Sequence, residues 1–245
     1  MIKKLPLLVL VLSVIACYQE ATAAPVTYNT GDIFIGFETT GATGAGINLL
    51  VDIGNNYADP VSGSINLEAD LAAKYGPGWY TNGSVYYGVF GIKGTGSAYN
   101  GVIASTPAGT TGLPNRNSGA AATMISDYGA LGAQYNVDKN NNQTLTTAVY
   151  QNNSTENQGG TWSYYNPSTQ PFGTYNKSIE TLVSSNLDIY SMTTANTGLG
   201  SKIESITINN LGILSIVAVP EPASCALSVL GAGAIVLAIR RRKSA

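Results

Sequence analysis

The sequence predicts an all-β protein, an antiparallel β-sandwich of jelly-roll type with one or two short helices, framed by an N-terminal signal peptide and one C-terminal transmembrane helix. Three observations carry that prediction. The chain holds 15 tyrosines among 245 residues, nearly all in its middle and mixed with many threonines and asparagines, which favours pleated strands joined by turns. Apolar and polar residues alternate there over short runs. Only 11 % of the residues are charged, where a soluble globular domain carries roughly a quarter.

The elements follow in order. Residues 31–37 and 46–53 alternate as strands and flank a Gly/Thr-rich loop, which predicts a hairpin. A short helix is expected over residues 67–75, with Leu67, Leu71 and Tyr75 on one face and Gly76-Pro77 closing it. Residues 84–92 form the next strand, and 120–128 a second helix. Late strands are expected at 144–150, 187–192, 203–208 and 212–219, the last two bridged by Asn209-Asn210-Leu211. No repeat of fixed period is evident.

The two ends have another character. Residues 1–23 carry Lys3 and Lys4, then about a dozen apolar residues, then the small-x-small pattern Ala21-Thr22-Ala23 before Ala24. This is the plan of a secretory signal peptide, too short in its apolar run to span a bilayer as a permanent anchor. Cys17 in Val14-Ile15-Ala16-Cys17 loosely resembles a lipobox, which would make the chain a lipidated outer-membrane protein instead. At the far end, residues 223–239 hold no charge and meet Arg240, Arg241, Arg242 and Lys243 at once. At 1.5 Å per residue such a helix reaches about 26 Å, enough for a thin bilayer, and its basic end belongs on the cytoplasmic side. Domain boundaries follow: signal peptide 1–23, secreted body 24–218, tail 219–245.

Between body and membrane segment stands Val219-Pro220-Glu221-Pro222. The prolines fix φ and remove N–H donors, so the motif stays extended rather than joining the helix that follows. With the glycine pair Gly231 and Gly233 inside the apolar stretch and the terminal Arg-Arg-Arg-Lys, this tail resembles the PEP-CTERM sorting signal of Gram-negative bacteria. The resemblance implies that an exosortase in the inner membrane is the partner and this chain its substrate. It further implies that the tail anchors the chain in that membrane until processing near Pro-Glu-Pro, and that the product reaches the outer surface or an exopolysaccharide matrix. It covers the tail and, generically, the signal peptide.

The body itself excludes much chemistry. The chain has no histidine, which removes imidazole bases, Ser-His-Asp and Cys-His pairs and His-ligated metals. With the ends set aside, Lys74, Lys93, Lys139, Lys177, Lys202 and Arg116 face the 12 acids other than Glu20 and Glu221, a net charge of −6. Such a surface is a poor phosphate binder, so nucleic acid is not an expected partner. The body has no cysteine, and no cofactor is expected.

Four groups of residues remain. Asp138, Asn140 and Asn142 open like a calcium loop, yet Gln143 stands where glycine should be and Val149 where a bidentate glutamate should be. Asp52, Asn55, Asn56 and Asp59 cluster in a second loop with oxygen donors, although Asn and Asp are also ordinary turn residues. Glu68, Asp70, Glu180, Asp188 and Glu204 are the carboxylates from which a glycoside-hydrolysing pair would have to be drawn. Trp79, beside Tyr80 and near Tyr86-Tyr87, and Trp162, in Trp162-Ser163-Tyr164-Tyr165, could stack on sugar rings. In a strand Tyr86 and Tyr87 face opposite ways, so one belongs to the core. The leading expectation is therefore a structural or binding protein of the cell surface or biofilm matrix, without catalysis of its own. A secreted polysaccharide hydrolase is the alternative.

Overall fold

A computed structural model of the chain describes residues 25–54, 63–93, 101–115, 118–152, 160–165, 179–194 and 197–219. Ten strands form one antiparallel sheet: β1 (Ile33–Thr39), β2 (Ile47–Asp52), β3 (Gly63–Asn66), β4 (Val85–Lys93), β5 (Gly101–Pro107), β6 (Val149–Asn152), β7 (Glu180–Leu182), β8 (Leu187–Thr193), β9 (Ser201–Ile208) and β10 (Ile213–Ala218). Their order across the sheet is β3-β10-β9-β8-β5-β4-β1-β2-β6, and β7 pairs with β4 beside this path.

β4 is the hub. One of its edges pairs with β1 throughout, from Ile33↔Gly91 to Thr39↔Val85. Its other edge is shared: Tyr86–Gly88 pair with β7 and Phe90–Lys93 with β5. At the changeover the N–H of Val89 donates to Ser105 Oγ at 2.7 Å, and that hydroxyl donates to the carbonyl of Ile179 at 2.5 Å. A serine hydroxyl thus satisfies backbone groups that the switch of partner strands would leave bare.

The sheet curls into a half-barrel. Its concave side holds one continuous apolar cluster that includes Phe37 and Leu49 as well as Ile206 and Leu214, which stand on distant strands. Helix α1 (Glu68–Tyr75) closes this side with Leu71 and Tyr75. The Tyr75 hydroxyl donates to the carbonyl of Phe37 at 2.9 Å. Asp70, 2 % exposed, accepts the N–H groups of Thr146, Thr147 and Ala148 at 3.0, 2.7 and 2.8 Å, tying the helix to the turn before β6.

The convex side is covered by α2 (Ser118–Asn140), whose Met124, Tyr128, Leu131 and Tyr135 pack against Phe34, Leu50 and Phe90. Gly132 lets Tyr28 lie on this helix, since a Cβ there would come within 2.3 Å of the Tyr28 ring. Among the described residues no helix is long and apolar enough to cross a membrane.

Several expectations need correction. Among the described residues the body is antiparallel β with two α-helices, and a single curled sheet stands in place of the two sheets of a jelly-roll sandwich. A second sheet is unnecessary because the curl buries the concave side on itself and α2 covers the other side. The second helix is 23 residues long rather than nine and runs through Asp138 and Asn140. β3, β5 and β7 join the strands read from sequence. The predicted signal peptide, residues 1–23, and the transmembrane helix, residues 223–239, lie outside the described residues.

Candidate functional site

Two places can carry function. The first is where the body meets its tail. β10 pairs with β3 on one side and β9 on the other, from Leu214↔Ile208 to Ala218↔Glu204. Its start is fixed by Asn209, whose side-chain oxygen accepts the N–H groups of Leu211 and Ile213 at 2.9 and 3.0 Å. At its end the ladder goes one residue further: the Val219 N–H donates to the Ile203 carbonyl at 2.9 Å. Val219, the first residue of the sorting motif, is thus 37 % exposed yet anchored in the sheet. Pro220, Glu221, Pro222, the basic stop Arg240, Arg241, Arg242 and Lys243, and the cleavage residues Ala21, Ala23 and Ala24 lie outside the described residues.

The second place is a buried polar cluster against the convex face. Trp162 opens a 3₁₀ turn, Trp162–Tyr165, and lies flat across a slot made of glycine. Gly36 of β1 and Gly88 of β4 are register partners, and a Cβ on Gly36 would stand only 1.9–2.3 Å from indole carbons. The indole N–H donates to Glu180 Oε1 at 2.6 Å. Glu180, opposite Gly88 across β4 and β7, also hydrogen-bonds the carboxyl of Glu38. Both acids are buried, Glu180 at 5 % and Glu38 at 8 % exposure.

Burial, and next the Glu38 charge, hold the Glu180 carboxyl protonated well above the usual range. Burial also raises Glu38, while its bond to Glu180 acts in the opposite direction. The two groups share a proton that resides on Glu180. A glycosidase needs its two carboxyls about 5–10 Å apart, with sugar and water between them. Here they are in direct contact and shielded by Trp162, so the arrangement works as a polar lock joining β1, β7 and the 3₁₀ turn.

The other carboxylates read from sequence stay apart. Asp70 is saturated by three backbone N–H groups, and Glu68 sits in the exposed first turn of α1. Asp188 pairs with Lys202 at 2.7 Å and accepts from Ser205 at 3.0 Å, which hold it below the usual carboxylate range against the effect of its burial. Glu204 is buried on β9. The indoles of Trp79 and Trp162 are 3 % and 0 % exposed, so the faces expected to meet sugar rings are covered by protein. Tyr87 belongs to the core and bonds the carbonyl of Ser185 at 2.8 Å, while Tyr86 stands half-buried on the opposite face.

The Asp138, Asn140 and Asn142 oxygens do not form a loop. Asp138 is fully buried on α2 and accepts from the amides of Gln134 and Gln151 at 2.6 and 3.2 Å, whereas Asn140 ends the helix and Asn142 sits in the exposed turn. Of the second oxygen-rich loop, Asp52 is described and Asn55, Asn56 and Asp59 lie outside the described residues. Among the described residues no group of three or more acidic or cysteine side chains could hold a metal ion.

Sequence reasoning missed Glu38. Its neighbours Phe34 and Gly36 mark the covered face of β1, and a glutamate continuing that face is the signal that could have found it.

The last ladder bond of the body is made by the residue at which the Pro-Glu-Pro segment begins. Residues 218–243 match the family model of the PEP-CTERM protein-sorting motif. The chain thus carries the signal that exosortases process, which implies export and a membrane-anchored C-terminus. No curated protein and no solved structure matches the chain.

Proposed function

We propose that the protein is a structural or binding component of the cell surface or exopolysaccharide matrix, delivered by its sorting tail and free of catalysis of its own. The observation that carries this reading is the junction at Val219. The sorting motif begins where the last ladder bond of the body ends. Removal of everything beyond it therefore leaves β10 and its two neighbours intact, so a protein cut there arrives folded. The low-charge body supports the same reading, since it can engage a hydrated polysaccharide through hydroxyls and amides more than through ion pairs.

The test is made in the native host, with and without its exosortase. With the enzyme, the chain is expected at the surface or in the medium without residues 223–245. Without it, the full tail is expected in the inner membrane fraction. The binding role is tested by passing the purified protein over exopolysaccharide fractions. Retention without new reducing ends supports a binder, and release of reducing ends would replace it with the hydrolase reading.

A further inference from the structure

A second polar cluster lies where the β1–β2 hairpin opens beneath α2. Asp32 immediately precedes β1, and Asp52 ends β2 as the register partner of Phe34. Both aspartates stand on the convex side, one pleat apart, with their side chains in contact. One oxygen of each is held by backbone: Asp32 Oδ2 accepts the Asn29 N–H at 2.6 Å, and Asp52 Oδ1 accepts the Gly54 N–H at 2.8 Å. Asp52 Oδ2 is buried and receives no donor.

Around them stand aromatic groups from α2 and the N-terminal segment. The Phe34 ring lies 5.5, 5.7 and 5.0 Å from the rings of Tyr28, Tyr128 and Tyr135. The hydroxyls of Tyr128 and Tyr135, on side chains 1 % and 0 % exposed, are buried without a hydrogen-bond partner. Both rings pack on Phe34, the register partner of Asp52, so their hydroxyls lie in the same buried layer as the carboxylates. Burial raises both phenols; the Tyr28 hydroxyl and then the Asp52 and Asp32 charges raise Tyr128 further, and the two aspartates raise Tyr135. One carboxylate oxygen of the pair and two phenol hydroxyls beside it are orphaned, and they call for an occupant because buried polar groups are ordinarily satisfied.

We propose that Asp32 and Asp52 bind a calcium ion whose water ligands are oriented by the hydroxyls of Tyr128 and Tyr135. The donor set is all oxygen, with no nitrogen or sulfur ligand, as a hard cation requires. Calcium accepts six to eight ligands in flexible geometry and fills its shell with water, whereas magnesium demands a near-ideal octahedron. Asp52 is half-buried and gives the ion a way in.

The test uses the full chain in detergent at about pH 7.5, stripped with EDTA. Terbium(III), a luminescent stand-in for calcium, should emit on tyrosine excitation because the phenol rings line the site. Calcium should displace it, and magnesium at the same concentration should do so at least tenfold less effectively. At 10 mM, roughly a hundredfold above the dissociation constant of a tighter extracellular site, calcium should raise Tm by about 5–10 °C. Asp52→Asn should fold without EDTA-sensitive loss, with Tm no lower than the stripped parent, and should weaken terbium binding at least tenfold. Asp32→Asn provides the same reading should Asp52→Asn fail to fold. Absence of sensitised emission, emission unchanged in both variants, or equal displacement by magnesium would overturn the proposal.

Discussion

In β1, six consecutive residues from Ile33 to Glu38 are buried, whereas in β9 and β10 buried and less buried positions alternate from Glu204 to Ile216. The centre of the sheet is covered on both faces, by α1 and the curl on one side and by α2 and Trp162 on the other. The β9–β10 wing is covered on its concave face, and Val217 is 59 % exposed on the other. The centre therefore tolerates little change, and around Trp162 it holds its polar groups in a closed network. The wing can present a chain end to the outside without disturbing the core, and the sorting motif leaves from there.

The contrast can be broken most strongly beside the centre, at Asp70. Asp70→Ala strips three backbone N–H groups of their buried acceptor, and should cost about 3–5 kcal/mol in denaturant unfolding. Gly36→Ala should follow at about 3 kcal/mol, because the added Cβ collides with the Trp162 indole. The same experiment on Gly36→Ala combined with Trp162→Ala should relieve the collision. An unrelieved double variant would mean that the indole is not what the glycine accommodates.

A smaller, graded effect is expected with pH. Asp52, Glu38 and Glu180 have raised values in the folded state, so the folded chain binds more protons than the unfolded one above about pH 4. Their contribution is full below the unfolded values of about 4, and it is lost as pH rises through the folded ones, about 7 for Asp52. In EDTA, Tm should fall between about pH 4.5 and 7.5, and Glu38→Gln should flatten the slope. A Tm that rises over this window would contradict the shared-proton lock. The smallest effect belongs to the wing: Val217→Thr should stay within about 0.5 kcal/mol of the parent, since its side chain meets solvent. A loss of more than about 1 kcal/mol would show that something covers that face.

The same contrast decides what the sequence could tell. The β1–β2 hairpin, α1 and the last two strands were legible because alternation, the Gly76-Pro77 stop and the Asn209 turn are local signals. β5 was not, because its small residues, Ala104 and Ser105, suit a covered strand in a hub rather than an alternating one. β3 and β7, with four and three residues, exist through their neighbours. Gly129 and Gly132 disguised the length of α2 by lowering its helical propensity, and one of them is there for Tyr28. The sorting motif was legible since it is contiguous. The Glu38–Glu180–Trp162 lock was not, because its parts come from β1, β7 and the 3₁₀ turn and only the fold brings them together.

Processing at the Val219 junction is read out by the intact mass of the protein recovered from its native host. The expected species lies in the surface or medium fraction, begins near Ala24 and ends at or just beyond Val219, no further than Pro222. A species found only in the inner membrane and still carrying Arg240 to Lys243 would contradict it.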